Sequence, residues 1–211
     1  MIDVSSVAAL KDSVSRETRD HLERYVILLA KWQKALNLVS NLTLAESWKR
    51  HILDSAQLVP LARNDARHWA DLGSGAGFPG LVCAILARET HPSTRFTLVE
   101  SDARKCVFLR EVARQTGISV EILNDRVEAI EPLNADILSA RALAPLSALL
   151  SYASPHLAQN GTCLFLKGAR YDTELEQART DWHMDVERVL SVTSPDAVIL
   201  IVRELSHAAP T

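Results

Sequence analysis

Four glycines within the segment "ADLGSGAGFPG" are the first indication of chemistry in this sequence. Glycine adopts positive φ angles without steric cost, and it lets the backbone approach a ligand closely. An apolar segment with a helical pattern, "LVCAIL", follows directly. A glycine turn between a strand and a helix is a common cradle for a nucleotide or a phosphate group.

The spacing of these glycines fits two cofactors. Gly75, Gly77 and Gly80 form G-x-G-x-x-G, the dinucleotide pattern. Gly73, Gly75 and Gly77 form a tighter G-x-G-x-G behind Asp71, which is typical of S-adenosylmethionine-dependent methyltransferases. The glycine spacing alone therefore leaves both cofactors open.

A carboxylate, Glu100, follows the next predicted strand, "TRFTLV". At that position a carboxylate can accept hydrogen bonds from both ribose hydroxyls of an adenosine group, which both candidate cofactors carry. A dehydrogenase also needs a catalytic set, and no Y-x-x-x-K pattern begins at Tyr25, Tyr152 or Tyr171. An NAD(P)-dependent oxidoreductase is therefore the weaker alternative.

Alternating strand and helix patterns predict the framework that holds these residues. From residue 65 onward short apolar strands alternate with helical segments, which indicates a mostly parallel sheet with helices on both faces. Only Thr193 to Pro195 separate the last two predicted strands, so a hairpin there would make one edge strand antiparallel.

The N-terminal part is predicted to be helical. Ser15 is a suitable cap for a helix over residues 16–38. Thr43 and Glu46 have capping-box spacing and predict a second helix that runs to about Leu58. We therefore divide the chain into a helical extension packed on the main domain, that α/β domain, and a C-terminal tail, at residues 1–64, 65–206 and 207–211.

Composition restricts the class of protein. The chain has 211 residues, a net charge of -3 and 47% hydrophobic residues, which suits one globular domain with an extension. An acidic balance argues against a general polyanion binder, although a local basic patch can still bind nucleic acid. No targeting segment or membrane span is predicted. Cys83, Cys106 and Cys163 lie far apart in apolar stretches, which indicates buried free thiols, a cytoplasmic protein and no metal site.

Six segments occur in an order that resembles the RsmG family, also called GidB. They are "NLVSNLT", "RHILDS", "DLGSGAGFPG", "LVESDARKCVFL", "SARAL" and "LFLKG", and together they span most of the chain. The resemblance implies a Rossmann-like class I methyltransferase fold with a mostly parallel seven-stranded sheet. It also implies S-adenosylmethionine as cofactor and methylation of guanine N7 in the decoding-region hairpin of 16S rRNA. The expected partner is the small ribosomal subunit or its precursor, and the expected state is a monomer.

The resemblance also assigns site residues. Gly73 and Phe78 match cofactor-contacting positions, Val127 and Glu128 match the pair that flanks the adenine, and Arg141 matches the site arginine. Many relatives carry a small residue in place of Val127. Together with the glycine and carboxylate patterns this gives the expected cofactor-binding set: Asp71, Gly73, Gly75, Gly77, Phe78, Glu100, Val127, Glu128 and Arg141.

The expected reaction requires little acid–base chemistry from the protein. Guanine N7 has a free lone pair at neutral pH, so in-line attack on a sulfonium methyl group needs no general base. Arg141 and Lys167 are the expected catalytic residues. Arg141 would hold the methionine carboxylate or guanine O6, the alternative being a structural ion pair. Lys167 would contact rRNA, the alternative being an extended strand-end lysine.

Substrate contacts are expected from basic clusters, the alternative being a solvated helix face. Asn37, Asn41, His51 and Asp54 match family positions. Asn37 and Asn41 also suit caps or turns, and a structural His51–Asp54 pair is the simplest interpretation of their spacing. A non-catalytic rRNA-binding assembly factor remains a further alternative. The basic residues concerned are Lys49, Arg50 and His51 in one cluster and Arg104, Lys105, Arg110 and Arg114 in the other.

Overall fold

The computed structural model describes residues 2–208. Within that range one seven-stranded sheet has the order β3-β2-β1-β4-β5-β7-β6. Neighbouring strands from β3 to β5 are parallel, and β7 runs antiparallel to both β5 and β6. The predicted mostly parallel α/β sheet is confirmed. In chain order the strands are β1 (His68–Leu72), β2 (Arg95–Val99), β3 (Glu121–Leu123), β4 (Ala135–Arg141), β5 (Leu157–Lys167), β6 (Trp182–Leu190) and β7 (Val198–His207).

The predicted hairpin gives an edge strand, β6, that pairs antiparallel with its neighbour β7, and β7 is the strand that runs against the direction of the others. The last two strands do form a hairpin, but β7 sits between β5 and β6. Burial explains this order, because residues 198–202 are buried on both faces while β6 alternates between exposed and covered positions. A continuous apolar run is stabilised by cover on both faces, whereas an alternating strand suits an edge.

Helices cover both faces of the sheet. Trp69 and Leu98 pack into one core with α2, α5 and α6, and Ala70 and Val99 pack into a second core with α7 and α8. The helices are α1 (Val7–Ser13), α2 (Arg16–Leu36), α3 (Asn41–Leu44), α4 (Asp54–Ala56), α5 (Gly80–Thr90), α6 (Ala103–Thr116), α7 (Leu146–Ala153) and α8 (Tyr171–Ala178). Short π-helical or 3-10 turns lie at Trp48–Leu53, Val59–Leu61, Val127–Ala129 and Ser154–His156.

The first long helix agrees with its sequence signals. The Ser15 hydroxyl accepts a hydrogen bond from the Thr18 amide (3.1 Å), which confirms the predicted cap. Helix α2 ends at Leu36 because Asn37 adopts a left-handed conformation with φ of 45°. Its buried face shares a core with the sheet, and Tyr25 stacks on Phe78 with 5.1 Å between ring centroids. The N-terminal helices therefore pack directly on the α/β part.

The second predicted helix is wrong in its start and in its continuity. Ser40, not Thr43, caps α3, and its hydroxyl accepts from the Thr43 amide (3.3 Å). Helix α3 ends at Leu44, and a π-helical turn follows before α4. Within that turn the Arg50 carbonyl accepts a hydrogen bond from Arg141 (2.9 Å). A capping pattern in the local sequence carries no information about such a distant partner.

Several smaller expectations can be compared with the structure. Cys83, Cys106 and Cys163 are buried free thiols, as predicted, and burial raises the pKa of each. None of the helices in residues 2–208 is both long and apolar enough to cross a bilayer. Strand β7 extends to His207, where the expected tail begins, and residues 209–211 of that tail lie outside the described residues.

Candidate cofactor and acceptor site

A cavity of about 450 Å³, the first cavity, lies at the carboxyl edge of the sheet. Gly73 follows β1, Glu100 follows β2 and Arg141 ends β4, and all three line it. Val127 and Glu128, in the turn after β3, complete that wall. Ligands of open parallel sheets bind beyond the carboxyl ends of the strands, so this cavity has the expected position of a ligand site.

Two positions in the glycine loop after β1 require glycine. Gly73 has φ of 65°, and a Cβ there would lie 2.5 Å from Cδ1 of Leu143. Gly77 has φ of 93°, and a Cβ there would lie 2.5 Å from the Tyr25 hydroxyl. That hydroxyl donates a hydrogen bond to the Ala76 carbonyl. Tyr25 of helix α2 therefore supports the glycine loop, and a side chain in place of either glycine would displace that loop.

Glu100 is fixed by backbone donors beside this loop. It is 7% exposed, and its Oε2 accepts from the Gly75 amide (2.8 Å) while its Oε1 accepts from the Asp102 amide (2.7 Å). Each carboxylate oxygen has a second lone pair, so both can still accept from a ligand. The residue is positioned as its place after β2 predicted.

The turn that carries Val127 and Glu128 is held by a histidine, His156, that the sequence patterns did not indicate. The carbonyl of Val127 accepts a hydrogen bond from Nε2 of His156 (3.0 Å), which is buried. This contact fixes the 3-10 turn that carries Val127 and Glu128. His156 is an isolated histidine that follows helix α7, and nothing in the neighbouring sequence indicates that it holds this turn.

Arg141 is the residue around which the site is organised. Its guanidinium donates to the Arg50 carbonyl (2.9 Å), to Oδ2 of Asp54 (3.3 Å) and to Nδ1 of His51 (3.1 Å). It also lies over the ring of Phe78, 4.9 Å from the centroid. Arg141 therefore does form a structural ion pair, with Asp54, which was the alternative role expected for it. Its side chain nevertheless lines the first cavity.

His51 contacts Arg141 and not Asp54, so the expected His51–Asp54 pair does not form. Burial, followed by the charge of Arg141, lowers the pKa of His51 from 6.5 to about 4. The ring is therefore neutral at pH 7, with Nδ1 accepting from Arg141 and Nε2 donating to the Thr43 hydroxyl (3.1 Å). Its ring stacks on Phe78 with 4.8 Å between centroids.

A second cavity of about 670 Å³ adjoins the first. Leu38, Val39, Arg141 and Ala142 line both cavities. Lys167, at the end of β5, lies in the second cavity only. Arg141 thus stands at the boundary between two adjoining spaces.

The structure brings together most of the expected cofactor-binding residues and separates a few. Asp71 and Gly77 lie outside the first cavity's lining. Asp71 is buried below the loop, where Oδ1 accepts from the Ser139 hydroxyl (2.7 Å) and burial raises its pKa to about 6. The first cavity is lined by Gly73, Gly75, Phe78, Glu100, Val127, Glu128 and Arg141.

Some residues of the two predicted basic clusters line a cavity, and others form ion pairs elsewhere. Arg104 pairs with Asp102, and Arg114 pairs with Glu111, so those cations are engaged on their own helix. Lys105, by contrast, lines the first cavity. Arg50 is exposed at the second cavity, whereas His51 of the same cluster is buried.

Sequence patterns missed a polar network between α4 and the β6–β7 turn. The Thr193 hydroxyl donates to Oδ1 of Asp54 (2.6 Å), and the Val192 amide donates to Oε1 of Gln57 (2.7 Å). Asp54 and Thr193 are 139 positions apart. Asp54 is therefore held on one side by Thr193 and on the other by Arg141.

The sheet order and the carboxyl-edge cavity define the fold of class I methyltransferases. A methyltransferase from Geobacter sulfurreducens superposes with a TM-score of 0.60 at 18% identity, covering 96% of this chain and 100% of that one. M. jannaschii TYW2 in complex with AdoMet superposes with a TM-score of 0.56 at 12% identity, covering 75% and 76%. At these identities the similarity establishes the fold.

Sequence comparison identifies the family. The family model described as rRNA small subunit methyltransferase G matches residues 18–201. A ribosomal RNA small subunit methyltransferase G from Cereibacter sphaeroides is 50% identical over 202 residues, covering 96% of this chain and 98% of that protein. The chain belongs to the rRNA small subunit methyltransferase G family, which confirms the resemblance in its motifs.

Proposed function

We propose that this protein binds S-adenosylmethionine in the first cavity and transfers its methyl group to N7 of a guanine in 16S rRNA. The observation that carries this proposal is the fixed carboxylate of Glu100 beside the glycine loop, in a cavity that Arg141 also lines. Family membership supports methylation of rRNA and argues against the oxidoreductase alternative.

The residues of the first cavity fit this cofactor. Glu100 would accept from the ribose hydroxyls, and the turn at Val127 and Glu128 would flank the adenine. Arg141 would hold the methionine carboxylate or guanine O6, since part of its guanidinium remains free to donate. When bound, the cofactor supplies a methyl group on a positively charged sulfur.

The protein's own contribution is orientation and exclusion of water. Guanine N7 has a free lone pair, so no side chain has to remove a proton before attack. Holding two reactants in a reactive arrangement can lower the activation barrier by roughly 7–11 kcal/mol. Phe78, buried between the rings of Tyr25 and His51, gives this part of the site a rigid wall.

The substrate context is part of the same proposal. The acceptor would be 16S rRNA within the small ribosomal subunit or its precursor, met by a monomeric enzyme in the cytoplasm. Exposed Arg50 and cavity-lining Lys105 are suitable for contacts with phosphates.

Methyl transfer from labelled S-adenosylmethionine to small subunits that lack the modification tests the proposal. Wild type should yield labelled 7-methylguanosine after digestion, and Arg141→Ala and Gly73→Asp should not. Arg16→Ala is the matched control, because Arg16 is exposed at the start of α2 and lines neither cavity. Cofactor binding without transfer to subunits or free rRNA would contradict the proposed acceptor and favour a non-catalytic assembly factor.

A further inference from the structure

The second cavity lies where a methyl acceptor could meet the first cavity. Arg141 ends β4, Lys167 ends β5, and Val198 begins the antiparallel β7, so all three lie at one edge of the sheet. All three line the second cavity. Arg141 and Ala142 line both cavities, so a molecule bound in one would lie next to a molecule bound in the other.

A fixed ion pair forms part of the second cavity. Nζ of Lys167 lies 2.5 Å from Oε2 of Glu174, and their side chains are 10% and 17% exposed. Lys167 also donates to the Ala144 carbonyl (3.2 Å), and Oε2 of Glu174 also accepts from the Leu146 amide (2.8 Å). Within residues 2–208, Oε1 of Glu174 has no hydrogen-bond partner. The pair therefore presents a donor beside an available acceptor.

This donor–acceptor order matches one purine better than the other. Guanine carries the O6 acceptor next to the N1–H and N2–H₂ donors, so an ammonium and a carboxylate side by side can bind that edge. Adenine reverses the order at the same two positions, with an amino donor at C6 and an acceptor at N1. The ammonium would then face a donor and the carboxylate an acceptor, and neither contact would form.

We propose that the second cavity is the subsite for the acceptor nucleotide and that Lys167 and Glu174 bind the O6/N1 edge of its guanine. This inference rests on the proposed function. A base must leave its stack to reach such a cavity. Arg50 and Arg170, exposed at the lining of the same cavity, are placed to hold the flanking phosphates.

Filling the second cavity tests its role separately from cofactor binding. Ala197 lines the second cavity and not the first, so Ala197→Phe should leave the S-adenosylmethionine Kd within about twofold of wild type and lower kcat/KM for small subunits roughly 10- to 100-fold. Ala8→Phe, at an exposed position of α1, is the size-matched control and should resemble wild type. Unchanged kcat/KM in Ala197→Phe would overturn the inference.

The ion pair needs its own test. Lys167→Met and Glu174→Gln should each lower kcat/KM for small subunits roughly 10-fold with cofactor Kd unchanged, and Lys167→Arg should recover part of the loss. In the wild-type protein, millimolar guanosine monophosphate should shift the amide resonances of Gly168 and Ala169 more than adenosine monophosphate does. Equal effects of the two nucleotides, or Lys167 variants that change only cofactor binding, would overturn the assignment. Failure of wild type to methylate subunits would instead overturn the proposed function.

Discussion

Replacing His51 by Gln should reduce the loss of stability that this protein undergoes on acidification. The folded pKa of His51 is about 4, against 6.5 in an unfolded chain, because the ring is buried beside Arg141. Between these values the unfolded state binds the proton more readily. His51 therefore costs stability as pH falls, by about 2 kcal/mol between roughly pH 7.5 and pH 5.

Asp71 acts in the opposite direction. Its folded pKa is about 6, against 3.8 unfolded, because the carboxyl group is fully buried under the glycine loop. The folded state binds this proton first, so the titration of Asp71 stabilises the fold on acidification, by about 1 kcal/mol over the same range. In the wild-type protein the two contributions oppose each other, so acidification changes stability less through this pair than through His51 alone.

Urea unfolding followed by tryptophan fluorescence measures both contributions. Each protein is compared with its own value at about pH 7.5, so the loss of the His51 contacts does not affect the comparison. On acidification from about pH 7.5 to about pH 5, His51→Gln should lose about 2 kcal/mol less stability than wild type, and Asp71→Asn should lose about 1 kcal/mol more than wild type. Other titrating groups, such as His68, are common to all variants and cancel. Parallel pH profiles for wild type and His51→Gln would refute the assigned burial of a neutral ring.

Three further changes test the contacts that support the site. Thr193→Val removes the hydroxyl that holds Asp54 and should lower kcat about fivefold, the equivalent of roughly 1 kcal/mol, with recovery in Thr193→Ser. Tyr25→Phe removes the donor to the Ala76 carbonyl and should weaken S-adenosylmethionine binding about fivefold in calorimetry, whereas unchanged affinity would show that the loop does not need this bond. Glu100→Gln places an amide against backbone donors and should weaken the same binding about 30-fold, or roughly 2 kcal/mol; equal affinity would exclude a cofactor role for the carboxylate.

Features encoded by neighbouring residues could be predicted from the sequence. The cap at Ser15, the glycine turn after β1 and the position of Glu100 after β2 depend on residues a few positions apart. Strand and helix periodicity likewise reflects burial of one face at a time. The position of β7 inside the sheet could not be derived in this way, because a hairpin is compatible with either strand at the edge.

Features that depend on distant partners could not be predicted. The spacing of His51 and Asp54 favours a local pair, but Arg141 arrives from β4 and contacts both. A guanidinium has several donors in fixed geometry, so it can outcompete a single histidine–carboxylate bond. The contact of Thr193 with Asp54 is equally invisible in the sequence, since neither residue has a pattern that points to the other.

The distribution of charge connects the two cavities to one mode of substrate binding. At the boundary the positive charge of Arg141 is offset by Asp54, and His51 adds none because it is neutral at pH 7. The charge of Lys167, which also lines the second cavity, is likewise offset by Glu174. A positively charged sulfonium and an uncharged base would therefore meet little net repulsion there. The exposed arginines at the second cavity, Arg50 and Arg170, have no ion-pair partner within residues 2–208, so positive charge is left where an RNA backbone would pass.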